Sequence, residues 1–293
     1  MEDVINEVLK KENIPYGKII KATSGFTNLV YFIDDKLVIK MSKDENTKKK
    51  IDKEISIYKN VMLDFMPKYI TSGKMQDYTY LIISKVKGDS LYSIWHKLSD
   101  NERQNCVKQI ANILKVFNSQ NTEFLDEEYK DYDWVECLSN ELKSKIESLA
   151  LMGCDISFLK DYIVEQLPLI LAENDYGLVY NDAHFDNFIY NNGTLKLIDF
   201  DRVRVCPIDF EMLIFKTMCD IPSKFASEAD EDNINNEDYK DIFEWFKNEY
   251  PEMFKNQYID QRISLYQFNY LIGQAIKCND KEWINNLLNK FKI

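Results

Sequence analysis

Asp182, Asn187 and Asp199 lie close together in the stretch LVYNDAHFDNFIYNNGTLKLIDFDR, residues 178–202. Two β-prone runs, Phe188-Ile189-Tyr190 and Leu195-Lys196-Leu197-Ile198, flank Asn191-Asn192-Gly193. Asn and Gly both accept positive φ, so the spacing predicts a tight hairpin. Asp182 and Asn187 then fall on the loop entering the hairpin, and Asp199 just past its exit. Strand pairing draws the two ends of a hairpin together. A carboxylate, an amide oxygen and a second carboxylate should converge, and hard oxygen donors of this kind suit Mg²⁺.

The order D-x-x-x-x-N, strand, I-D-F is the metal and base constellation of kinase-fold phosphotransferases. The stretch resembles the aminoglycoside phosphotransferase and choline kinase superfamily more closely than it resembles protein kinases. There the loop reads H-G-D-x-H-x-x-N or H-N-D-x-x-x-x-N. Here it reads Tyr180-Asn181-Asp182-Ala183-His184-Phe185-Asp186-Asn187. Asp182, His184 and Asn187 fall on the family's positions, and Asn181 matches the choline kinase form. Tyr180 replaces a His that is generally structural, which implies a difference in packing.

The resemblance implies an α+β, bilobal protein-kinase-like fold. An N-terminal five-stranded antiparallel sheet plus helix, residues 1–86, would bind the nucleotide. A hinge near 84–88 would lead to a mainly helical lobe, 87–293, with the catalytic loop and acceptor site. Asp182 is then the catalytic base, Asn187 and Asp199 the Mg²⁺ ligands, and ATP or GTP the phosphate donor. His184 is a secondary candidate. So is Asp201, which stands where protein kinases have the Gly of D-F-G. It could touch a second metal or a substrate amine, or pair with Arg202 or Arg204. Asp209, early in the next element, matches the family's brace of the catalytic loop. Seven residues separate Asp201 from Asp209. That is too short for an activation loop and points to a small-molecule acceptor.

These groups need elements to hold them. Val4, Ile5, Val8 and Leu9 predict a helix over 3–12. Strands follow over 18–22, 29–33 and 37–40, with Asp34-Asp35 as the tight turn between the last two. The loop Thr23 to Asn28 contains Ser24, Gly25 and Thr27, whose backbone N–H groups could cap phosphates. An ordinary β-turn explains it equally well. Lys40 ends an apolar strand and requires an anionic partner there. Glu54, on a helix over 47–61, matches the family's partner for the strand Lys. Its lysine neighbours also allow a solvated face of i,i+4 pairs. Strands over 69–74 and 78–84 lead to the hinge, where backbone groups from Ser84 to Val86 could meet a purine edge. A plain strand-to-helix turn is the other reading.

Beyond residue 90 the apolar period becomes helical. Ser99-Asp100-Asn101-Glu102 is a capping box. Further helices are predicted over 133–149, 157–173, from Pro207 onward, 237–249, 254–278 and 280–291. The segment 126–134 mixes acids with aromatics and reads as a surface loop or a pocket for a cation. The acidic stretch 228–238 has no apolar period and reads as a mobile loop or a substrate lid. Glu244, Glu252, Asp260 and Glu282 are further acids that could bind a cation.

The 293 residues carry a net charge of −12, with 45% hydrophobic and 29% charged residues. That balance argues against nucleic acid as a partner and is compatible with a cationic substrate. Six dispersed cysteines without a C-x-x-C pair fit free thiols in a reducing cytosol. Met1-Glu2-Asp3 is wrong for a secretory leader, and no apolar run spans a bilayer. We expect a cytoplasmic monomer without membrane partners. The leading function is an O-phosphotransferase for a small cationic acceptor, first an aminoglycoside, with antibiotic resistance as the consequence. Choline, ethanolamine or another metabolite is the alternative acceptor. A silent nucleotide-binding pseudokinase is the alternative of another class.

Overall fold

The structure is a computed structural model and describes residues 2–22, 28–226 and 230–291. In chain order the first elements are α1 (Glu2–Lys11), β1 (Ile19–Lys21), β2 (Leu29–Ile33), β3 (Leu37–Met41), α2 (Glu45–Asn60), β4 (Tyr69–Met75) and β5 (Tyr78–Ser84). Next come β6 (Asp89–Ser90), α3 (Leu91–Trp95), α4 (Asp100–Asn118), α5 (Trp134–Leu151), α6 (Ser157–Glu165), α7 (Leu167–Ile170) and β7 (Tyr176–Val179). The last are β8 (Phe188–Asn191), β9 (Thr194–Leu197), β10 (Arg204–Pro207), α8 (Met212–Asp220), α9 (Ile242–Glu249), α10 (Ile259–Lys277) and α11 (Lys281–Phe291). This is the kinase-like fold expected from the sequence, a five-stranded antiparallel sheet followed by a mostly helical remainder. Among the described residues no helix is long and apolar enough to cross a membrane.

The chain divides into two compact units. One holds Met1–Ile94, Glu123–Asp126 and Phe185–Arg202, and the other holds the remaining residues. In the first, the strand order is β1-β2-β3-β5-β4. Side chains alternate across a pleated sheet, and the sequence uses both faces. Tyr31, Ile33, Ile39, Met41, Tyr80 and Ile82 bury one face against Ile5, Val8 and Leu9 of α1. Lys40 therefore points to the opposite face, where α2 packs on β3, β4 and β5. Asp34 and Asp35 take φ of 49° and 54°, the doubly left-handed turn that suits a two-residue hairpin. The outer strand β4 is bulged between Tyr69 and Thr71. Residues at and just beyond the end of α1 bond to it, Lys11 to the Lys74 carbonyl and Glu12 to Thr71. The predicted hairpin at 188–197 forms with Asn192 and Gly193 at φ 48° and 84°, and β6 extends it to three strands.

In the second unit, Trp134, Leu138, Leu142, Phe210, Tyr266 and Ile272 belong to one buried cluster drawn from α5, the turn before α8, and α10. The helix predicted over 157–173 breaks at Gln166 into α6 and α7. Pro168 sits in the first turn of α7, where its missing N–H is harmless, whereas inside a continuous helix it would remove a bond and clash. The stretch after Pro207 is not helical at once. Residues 204–207 pair with β7, and Ile208–Glu211 form a 3-10 turn ahead of α8. A similar short turn at Asn236–Tyr239 replaces the start of the helix predicted over 237–249, and the helix predicted over 254–278 begins only at Ile259, after a 3-10 turn at Pro251–Phe254. Of the acidic stretch 228–238, residues 228 and 229 lie outside the described residues. Its last residue is anchored: Arg103 of α4 pairs with Asp238 at 2.9 Å and Trp95 Nε1 donates to the Asp238 carbonyl.

Arg262 of α10 is the polar hub of this unit. It is 1% exposed and forms a two-pronged pair with Asp209, one prong at 2.9 Å. Its remaining N–H groups go to the carbonyls of Ile170 and Glu173 and to Asn174 Oδ1. Removing one partner of such a pair strands a buried charge and costs about 3–5 kcal/mol. Asp209→Ala should lower the urea-unfolding free energy by that amount, and a loss below about 1 kcal/mol would show that the pair is dispensable. Gly177 of β7 is tightly enclosed, since an added Cβ would lie 2.6 Å from the Asn118 carbonyl oxygen and 2.8 Å from Ile208 Cγ2. Gly177→Ala should destabilise by about 1–3 kcal/mol through overpacking. An unchanged melting temperature in calorimetry would refute that.

Candidate active site

In the first unit the chemistry centres on Lys40. Its Nζ lies 2.7 Å from Glu54 Oε1 and 3.0 Å from Asp199 Oδ1. Glu54 is fully buried and Lys40 nearly so. Glu54 thus pairs with the strand lysine, and the solvated-face alternative does not apply. Burial alone would push the ammonium down. Asp199 and Glu54 overrule it and hold the Lys40 pKa above the ordinary lysine value, so the side chain is charged.

The I-D-F segment is fixed to α2 by the same carboxylate. The Phe200 N–H donates to Glu54 Oε1 at 3.3 Å, and the Phe200 ring meets Tyr58 edge to face at 5.4 Å. Tyr58 lies one helical turn after Glu54, so one face of α2 supplies both contacts. Asp199 takes φ 64°, a left-handed conformation that Asp tolerates better than most residues. Asn187 sits at the open end of the β8–β9 hairpin, where its carbonyl accepts from the Ile198 N–H at 3.0 Å. Asn187 and Asp199 therefore stand at the same end of the hairpin. Among the described residues no cluster of three or more His, Cys, Asp and Glu is arranged to hold a metal. Two protein oxygens fit Mg²⁺, which commonly takes one or two protein ligands and completes its shell with phosphate oxygens and water.

Asp201 is 7% exposed and faces Lys50 at 3.5 Å. Of its two suggested arginine partners, Arg204 instead pairs with Asp131. Over 126–134 the acids Asp126, Glu127, Glu128 and Asp133 are exposed. Asp131 goes to Arg204, Glu127 to Lys130, Asp133 caps α5, and Trp134 is core. At the hinge, the Ser84 N–H donates to the Lys68 carbonyl and its hydroxyl accepts from the Lys68 N–H. The Lys85 N–H goes to the Lys36 carbonyl. Sheet bonds thus consume the N–H groups up to Lys85, and Val86 is the first residue beyond them. Ser24, Gly25 and Thr27 lie outside the described residues.

In the second unit, β7 delivers the catalytic-loop stretch. Tyr180 is fully buried and packs edge to face on Phe117 at 6.3 Å. Asn181 takes φ 58°. Gly and Asn are the residues that accept this conformation readily. The Gly or Asn that the resemblance places here fits this one backbone conformation. Asp182 Oδ2 is 3.6 Å from His184 Nε2, and the imidazole stacks on Phe225 at 5.7 Å.

The brace on this loop is Glu211, not Asp209. Its Oε2 accepts from the Tyr180 N–H at 2.8 Å and its Oε1 from the Asn181 N–H at 3.0 Å. Asp209, two residues earlier, is spent on Arg262. The 3-10 turn separates the two carboxylates, and nothing in the local sequence says which one faces the loop. Asn118 was also missed. Its Nδ2 holds the Leu178 carbonyl at 3.0 Å, and its Oδ1 accepts from Tyr250 at 3.3 Å.

A sequence profile of the phosphotransferase enzyme family matches residues 18–235. The streptomycin–ATP ternary complex of APH(2")-IIa superposes with a TM-score of 0.71 at 19% identity, over 99% of this chain and 96% of that one. Choline kinase from Cryptosporidium parvum Iowa II superposes with a TM-score of 0.56 at 12% identity, over 99% and 94% of the two chains. A 110-residue segment is 30% identical to serine/threonine-protein kinase MPS1 of Saccharomyces cerevisiae, covering 36% of this chain and 14% of that protein. The solved structures agree with the fold, and the profile spans well over half of the sequence: the chain belongs to the phosphotransferase enzyme family.

Proposed function

We propose that the chain transfers the γ-phosphoryl group of ATP or GTP to a hydroxyl of a small cationic acceptor, with an aminoglycoside as the leading acceptor class. The observation that carries this reading is Lys40, charged, buried and shared between Glu54 and Asp199. A buried ammonium held ready on a strand suits a nucleotide's phosphates. Residues 1–86, with 84–88 as hinge, would bind the nucleotide, Val86 offering its backbone to the purine and Ser24, Gly25 and Thr27 theirs to phosphate. Residues 87–293 would carry the acceptor.

Phosphoryl transfer asks mainly for position and charge compensation. Lys40, steadied by Glu54, would orient the α- and β-phosphates. Asn187 and Asp199 would hold Mg²⁺, which when bound supplies neutralising charge at the phosphate oxygens. Asp182 would accept a hydrogen bond from the acceptor hydroxyl, align it and take its proton late. His184 sits beside that carboxylate and would limit its rotation. Asp201, facing Lys50, keeps a supporting place behind the Lys40 cluster. The acidic balance of the chain favours a cation as acceptor. The higher TM-score with APH(2")-IIa than with the choline kinase, 0.71 against 0.56, is in keeping with an aminoglycoside over choline. With such an acceptor, a cytoplasmic monomer would confer antibiotic resistance.

A coupled nucleotide-turnover assay with Mg²⁺ tests this, using ATP and GTP against aminoglycosides, macrolides, choline, ethanolamine and homoserine. Asp182→Asn should reduce aminoglycoside-dependent turnover by about 10²–10⁴-fold and leave the thermal shift caused by Mg-nucleotide in place. Near-wild-type turnover in that variant removes Asp182 from the base role. Turnover with choline alone replaces the acceptor, and nucleotide binding without turnover on the whole panel favours a silent binding module.

A further inference from the structure

Glu211 is fully buried, and the groups around it are unusual for a carboxylate. Two backbone N–H groups, of Tyr180 and Asn181, hold its two oxygens. The Asn118 side chain also favours its charge. No cation pairs with it among the described residues. Two arginines lie near this turn: Arg262 is committed to Asp209, with Tyr266 beside that pair, and Arg204, 6.0 Å from the Phe210 ring, is paired with Asp131. The other titratable groups facing Glu211 are the Asp182 carboxylate on the loop, the Cys206 thiol of β10 and the Tyr250 hydroxyl after α9. None of these offers a positive charge, and Asp182 opposes ionisation.

We propose that Glu211 is a proton-operated positioning residue: ionised, it locks the Tyr180–Asn181 backbone ahead of Asp182, and protonated, it lets that backbone go. This deepens the kinase reading above and rests on it for its effect on turnover. The geometry supplies the switch. A carboxylate grips two N–H donors with two acceptor oxygens. A carboxylic acid turns one of those oxygens into a hydroxyl, a donor that has lost the negative charge and accepts from an N–H far more weakly. Burial opposes the charge more strongly than the backbone bonds favour it, and the carboxyl is pushed up to about 7. Both forms are then populated near neutral pH.

The sign of the effect follows. Turnover should fall as pH drops through the folded value. Stability runs the other way, because an unfolded Glu titrates near about 4.3. Between that value and the folded one, the native state alone keeps its proton. The contribution of Glu211 to stability is fully present below the unfolded value and is lost as pH rises through the folded value. The ionised brace that orders the loop is thus the less stable form of the fold.

The test is a pH titration of the full chain, labelled with ¹⁵N at Tyr and Asn, followed by NMR from about pH 5.5 to 8.5. The Tyr180 and Asn181 amide resonances should move together, with a midpoint at about 7, and should stay still in Glu211→Gln. Turnover of MgATP with kanamycin should fall by up to about tenfold from pH 8 to pH 6 with the same midpoint. Glu211→Gln should be slow and flat over that range. Amides that do not titrate overturn the proposal from the wild type alone, even where the variant does not fold. A turnover limb that survives in Glu211→Gln also overturns it. Amides that titrate in a protein without turnover on any acceptor uphold the brace and retire the kinase reading instead.

Discussion

An ammonium cannot stay in an apolar sheet without a counter-charge. Lys40 faces α2 because its neighbours Ile39 and Met41 are committed to the other face against α1. That commitment sets the position of α2, which must bring Glu54 to within hydrogen-bonding distance. Glu54 in turn takes the Phe200 N–H, and Tyr58 takes the Phe200 ring, so the I-D-F segment is held to the same helix. Desolvating a buried ion costs several kcal/mol, and the cluster offsets that by giving Lys40 two carboxylates. Asp199 reaches Lys40 while its side chain stays 44% exposed. It is both an internal counter-ion and an accessible oxygen donor.

The second unit solves a different problem with similar parts. Asp209 and Glu211 stand two residues apart on one short turn, yet their partners are of different kinds. Asp209 receives a guanidinium and becomes part of the scaffold. Glu211 receives only N–H dipoles and keeps its charge at a disadvantage. The same side-chain chemistry thus yields a permanent strut at one position and a titrating contact at the next. Asn181 shows the corresponding use of backbone. A left-handed residue just before Asp182 turns the chain out of β7, and the adjoining N–H groups become available to Glu211.

Much of this was readable in the sequence because the signals are local. The hairpin at 188–197 announced itself through Asn192-Gly193, the turn at Asp34-Asp35 through its flanking strands, and α4 through its capping box, which forms as expected. Lys40 was legible as a buried cation in need of a partner, and the resemblance supplied Glu54. Readings failed where a distant residue decides. Asp238 carries no local sign that Arg103, far back in the chain, pairs with it. Asp209 looked like the brace because position in the family pointed there, while the partner that diverts it, Arg262, lies on α10. At 157–173 the apolar period outvoted Pro168, although the proline alone was reason to end one helix and start another.

The bulge in β4 and the residues tied to it from the end of α1 have a consequence for the protein in a crowded solution. An outer strand offers a row of unpaired N–H and C=O groups on which a strand of another molecule can add. Here the bulge breaks the regular spacing of that row. Lys11 occupies the Lys74 carbonyl, and Glu12 holds Thr71 and the Tyr80 hydroxyl. At the other margin β1 is only three residues long, with lysines at 18 and 21. A sheet with such margins is a poor template for edge-to-edge aggregation. The N-terminal helix that completes the core also serves colloidal stability.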